Sequence, residues 1–122
     1  MTMWTEIKAM QEYLEIETSD DPNEICERMR IINVYMARSS RMLAEAKSHR
    51  RKAERDTIAA LPDFGNMPAN TLKKYLEVCA FEWCEIEDAL ESLYKTCVHQ
   101  IDSMRSLLSY SKEDMRLSRN GN

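Results

Sequence analysis

Residues 69–120 read ANTLKKYLEVCAFEWCEIEDALESLYKTCVHQIDSMRSLLSYSKEDMRLSRN, with neither Gly nor Pro. Leu72, Leu76, Cys79, Trp83, Ile86, Leu90, Leu93, Cys97, Met104 and Leu107 recur along it, mostly at alternating gaps of four and three. That spacing puts them on one side of one helix. At 1.5 Å per residue such a helix is roughly 70 Å long. A compact domain of this chain length is narrower than that. The helix therefore needs a long partner, from the same chain or from a second copy.

The partner lies upstream. Asp21 suits an N-cap, Pro22 suits the first helical position, and Glu24 stands three residues after Asp21. Ile25, Met29, Ile32, Met36, Ser39, Leu43, Ala46, Arg50 and Ala53 then repeat the alternation of four and three. This predicts a helix over 22–60, bulky in its first half and small or charged in its second. Pro62, Gly65 and Pro68 mark a loop over 61–69. The return helix covers 70–117, capped by Asn70 or Thr71. A short helix over 5–17 precedes both, with Thr5 as N-cap and Ile7, Met10 and Leu14 as a narrow stripe. The expected fold is all-α, one domain, a long coiled-coil-like antiparallel hairpin with a short N-terminal helix. Tyr94, Val98, Ile101 and Leu108 widen the seam beyond what one helix covers. The short helix takes part of that surface, and a second copy takes the rest, giving at least a homodimer and a helical bundle.

Composition narrows the class. The 122 residues are 31% charged and 43% hydrophobic, with two glycines, which suits a folded helical chain and leaves no phosphate-cradling loop. No stretch approaches the ~20 apolar residues of a membrane span, and the first residues lack the basic and apolar regions of a signal peptide. Cys26, Cys79, Cys84 and Cys97 form no C-x-x-C pair and read as reduced thiols of a cytoplasmic protein, with Cys79 and Cys97 inside the apolar stripe. The net charge of −4 conceals blocks. Residues 1–27 carry eight acids and one base, 28–55 nine bases and two acids, and 72–93 six acids and two bases. An antiparallel fold sets unlike blocks side by side.

Two charged faces are candidate binding surfaces. Arg38, Arg41, Arg51, Lys52 and Arg55 fall outside the core seam and form an elongated cationic ridge. It suits nucleic-acid phosphates or an acidic protein. No aromatic is interleaved with it, so stacking on single-stranded bases is not indicated. Glu82, Glu85 and Asp88 form an acidic face with Phe81, a large apolar group off the seam. Carboxylates three apart share a helix face, as a bridged Mg²⁺ site requires. All-helical nucleotide pyrophosphohydrolases pair a Glu-x-x-Glu with a Glu-x-x-Asp on neighbouring helices. The upstream candidate here, Glu24 and Glu27, stands far from Glu85 in sequence. The acidic run reads first as a solvated face, and that enzyme class ranks as the remote alternative. His99 follows Cys97 by two, on another helix face, so the two do not ligate together. No nucleophile–base set, cofactor motif or metal constellation is seen, so the expected protein is not an enzyme and takes no cofactor.

Two segments resemble stretches of small helical proteins carried by bacteriophages and prophages. One is Tyr35-Met-Ala-Arg-Ser-Ser-Arg-Met-Leu-Ala-Glu-Ala-Lys47, the other Thr96–Arg116, TCVHQIDSMRSLLSYSKEDMR. The resemblance covers about a third of the chain and brings no settled activity. It implies an accessory protein of a bacterial host cell. Such a protein would act on a host or phage protein, for example as an inhibitor of a defence system. The alternative is a recombination or packaging accessory that uses the cationic ridge on DNA.

Overall fold

The computed structural model describes residues 2–62 and 64–120, so Asp63 of the expected loop lies outside it. The described residues form helices α1 (Met3–Leu14), α2 (Pro22–Ala60), α3 (Ala69–Cys79) and α4 (Phe81–Asn120), with a 3₁₀ turn at Phe64–Asn66 and no strand. The 39 residues of α2 and 40 of α4 give rods of nearly equal length, each about 60 Å at 1.5 Å per residue. They run antiparallel: Arg28 meets Gln100, His49 stacks on Trp83 and Arg50 meets Glu87. The hairpin is the architecture that the two stripes predict.

The core is the seam between these rods plus one face of α1. Ile25, Ile32, Met42 and Ala46 of α2 pack with Ile86, Leu90, Leu93, Cys97, Ile101 and Met104 of α4. Ile7, Met10 and Leu14 of α1 close the third side. Met29, Met36 and Leu43, expected on the α2 stripe, are half-buried against this cluster. Arg28 and Met42 are buried although both lie off that stripe. The cause is α1: a third helix covers a strip of α2 rotated by about 100° from the seam facing α4.

Three details of the expected layout change. The single return helix is two, because a turn at Ala80 (φ −104°, ψ 18°) separates α3 from α4. Ala80 N–H still bonds Leu76 O (2.9 Å) and Cys84 N–H bonds Ala80 O (3.0 Å), so the axis bends without opening a loop. The surface of α2 level with α3 carries Arg50, Ala53, Thr57 and Ile58, of which only Ile58 is a bulky apolar group, and it is half-buried. Helix α3 has no buried residue, and Cys79 is exposed rather than in the core. Second, α1 begins at Met3, not after Thr5, because Thr2 Oγ1 accepts the Thr5 N–H (3.3 Å) and is the actual cap. Third, Asp21 precedes α2 as expected but makes no side-chain cap bond, and Pro22 alone marks the start.

The seam that seemed too wide is covered from within. Ile101 is 4% exposed and belongs to the core, so it is not available for self-association. Leu108 packs against the same cluster, Val98 is half-buried, and Tyr94 is 41% exposed. Of the four residues assigned to a second copy, Ile101 is thus buried within the chain, while Tyr94 stays exposed and Leu108 lines a groove at the end of the hairpin.

Candidate functional site

The first candidate surface is the elbow between α3 and α4. Phe81 is 58% exposed, with Glu82, Glu85 and Asp88 on the same stretch and also exposed. Tyr75 (44% exposed) and Val78 (73%) extend it on α3. Neither stood out in the sequence. Both lie off the stripe, Val78 three residues and Tyr75 six residues before Phe81, and that offset was the signal available. Within 75–91 there are six acids and no base. The result is an apolar patch bordered by carboxylates.

Behind the elbow, Arg50, Glu54, Lys73, Glu77, Cys84, Glu87, Asp88 and Glu91 line a cleft of about 400 Å³. Here the acidic run divides. Glu87 turns inward, is 8% exposed, and accepts a bond from Arg50 Nε at 2.6 Å. Arg50 Nη1 donates to Glu54 at 2.8 Å. Bonds to Glu54 first and Glu87 second raise the Arg50 pKa further above its usual value. This cation is neutralised in place and cannot serve a ligand anion. Among the described residues no three His, Cys, Asp or Glu converge as a metal site. Glu24 and Glu27 lie in the first turns of α2, at the far end of the hairpin from Glu82 and Glu85, and Glu27 is bonded to Arg30 at 2.7 Å.

The second candidate surface is the outer face of α2. Arg51, Lys52 and Arg55 line a shallow groove with Ser48, which the sequence reading passed over. Arg41 is exposed on the same side. Arg38 does not belong with them. It is paired with Glu6 of α1, and its charge is spent in holding two helices together. Among the described residues Arg55 has only its neighbour Asp56 at 3.8 Å, with both side chains well exposed, so that pair contributes little.

Neither Cys84 nor Cys97 is placed as a nucleophile. Burial pushes the Cys84 thiol up, and the charge of Glu87 adds to this. Burial does the same for Cys97. A raised pKa means less thiolate near neutral pH. Alkylation at pH 8 followed by mass spectrometry should therefore modify Cys26 and Cys79 first, Cys84 at least about tenfold more slowly, and Cys97 only in denaturant. Modification of Cys97 in the folded protein would contradict the packing described.

No protein-family model, curated protein or solved structure matches this chain. No helix among the described residues is long and apolar enough to cross a membrane.

Proposed function

We propose that this chain is a non-catalytic accessory protein of the bacteriophage type that acts by binding a protein of its bacterial host or phage. An inhibitor or adaptor directed at a defence system is the leading form of this reading. One observation carries it: Tyr75, Val78 and Phe81 stand exposed together at the elbow, inside an acidic border. Large apolar groups clustered on a surface mark interaction sites more often than single ones do. An aromatic flanked by desolvated neighbours is the usual anchor of an interface. The acidic border favours a basic partner and resists a nucleic acid.

The cationic groove of Ser48, Arg51, Lys52 and Arg55 favours a second reading, a DNA accessory. One pair of measurements separates the two. Immobilised protein should retain a partner from host extract that Phe81→Ala and Val78→Asp lose, while Arg51→Glu/Arg55→Glu retains it. A gel-shift titration across several salt concentrations should show no DNA complex. A complex with a steep salt slope, abolished by Arg51→Glu/Arg55→Glu and untouched by Phe81→Ala, would replace the first reading with the second.

A further inference from the structure

The end of the hairpin opposite the elbow carries a different surface. There the first turn of α2 lies beside the last turns of α4, and a groove of about 560 Å³ opens between them. Its floor is apolar, made by Pro22 and Cys26 on one wall and Leu108 and Met115 on the other. Arg105 and Lys112 stand on its rim. The same face continues along α4 past the start of α2, where Lys112, Met115, Arg116 and Arg119 line its extension. Met115 is 57% exposed.

Few of these charges are matched within the chain. Lys112 and Arg119 have no carboxylate within 4 Å among the described residues, and Arg105 is 3.7 Å from Asp102 with both side chains exposed. Arg116 bonds Glu113 at 2.6 Å, again in solvent. Glu27, next to Cys26 on α2, is held by Arg30. The groove is thus apolar at its base and cationic along its edge.

We infer that this groove docks an acidic amphipathic helix of another protein, with its apolar face on Cys26, Leu108 and Met115 and its carboxylates toward Arg105, Lys112 and Arg119. The span from Arg105 to Arg119 fits a helix of about 14 residues, or four turns. Charge complementarity chooses this occupant over a second copy, because two copies joined through this face would set the same cations against each other. A bilayer fits less well. It covers one convex face, whereas this face is a groove between two helices. Tyr110 (71% exposed) and Leu117 (58%) also lie on the opposite side of α4. The surface is separate from the elbow and does not depend on what the elbow binds.

The test uses the full chain and three probes. The first is a fluorescein-labelled helical peptide with Leu at alternating three- and four-residue gaps and Glu elsewhere. The second is the same peptide with Lys for Glu, and the third is vesicles of phosphatidylserine and phosphatidylcholine. The Glu peptide should bind by anisotropy with a dissociation constant on the order of 10 µM at low salt. Lys112→Glu and Arg105→Glu should each weaken it about tenfold, and added salt should weaken the wild type. Met115→Ser, a change at an exposed position outside the core, should weaken it severalfold, whereas Arg51→Glu on the outer face of α2 should leave it unchanged. Equal binding of the Lys peptide, or indifference to Lys112→Glu in a variant with native circular dichroism, overturns the inference. Binding of the vesicles without the peptide overturns it in favour of a lipid surface.

Discussion

Leu90→Ala should lower the unfolding free energy by about 3 kcal/mol, the middle of the range for truncating a buried leucine. Leu90 is 0% exposed and sits in the cluster shared by the long helices. The lost methyl groups remove their own transfer energy and leave a cavity that rigid helices fill only in part. Domains of this size have total stabilities of roughly 5–15 kcal/mol, so the change is a large fraction of the whole. Urea titration followed by circular dichroism is the measurement, with the midpoint moving and the slope constant. Leu76→Ala on α3 provides the contrast. That residue is only half-buried, and its loss should cost below about 1 kcal/mol. If the two variants proved equal, the assignment of the core to α1, α2 and α4 would be wrong.

Arg28→Ala should be nearly as damaging, by about 2–3 kcal/mol, through a different mechanism. The Arg28 side chain is buried, and its Nη2 donates to the Leu14 carbonyl (3.2 Å) and to Gln100 Oε1 (3.1 Å). Its guanidinium carbon lies 5.2 Å from the centre of the Tyr13 ring. Among the described residues no carboxylate pairs with it. The negative end of the α1 dipole, where Leu14 O also accepts from Gln100 Nε2 at 2.8 Å, takes that role. Truncation removes one of the two donors to Leu14 O, takes away the donor to Gln100 Oε1, and loosens the end of α1. Limited proteolysis between residues 15 and 21 should accelerate about tenfold, a factor that corresponds to 1.4 kcal/mol of easier local opening. Arg28→Lys should not restore the wild-type rate, because an ammonium lacks the planar guanidinium that lies over the Tyr13 ring. Arg28→Met should be milder than Arg28→Ala. It keeps the packing of the stem, and Arg28 Nε already lies buried without a partner. Unchanged proteolysis in Arg28→Ala would mean that apolar contacts alone dock α1.

The sequence made the long elements legible for local reasons. Pro22 and Pro62 bracket α2, and the observed helix ends where those residues require. Its stripe from Ile25 to Ala46 is buried or half-buried at every position. The bend at Ala80 was not legible, because it has no proline or glycine to announce it. Cys79 was misplaced for the same reason. Arg28 and Met42 were missed because one stripe implies one partner, while α2 has two. Arg38 belonged to the cationic ridge by helical phase alone, and only the packing of α1 shows that Glu6 claims it. The alternating charge blocks had anticipated a pairing of that kind, without the residues. Phe81 was legible because it falls off the seam, and Tyr75 and Val78 share that offset without sharing its prominence.

The bend at Ala80 also divides the molecule in time. The seam residues 28–42 and 89–104 should exchange their amides slowest, through the largest openings of the chain. Helix α3 buries no residue, so little apolar contact opposes its release, and its amides should exchange through local opening at a small fraction of that free energy. The exposed patch at the elbow should thus sit on a segment that opens and re-forms while the rest stays folded. A partner meeting Tyr75 and Val78 meets an ensemble, and part of its binding energy goes into selecting one member of it.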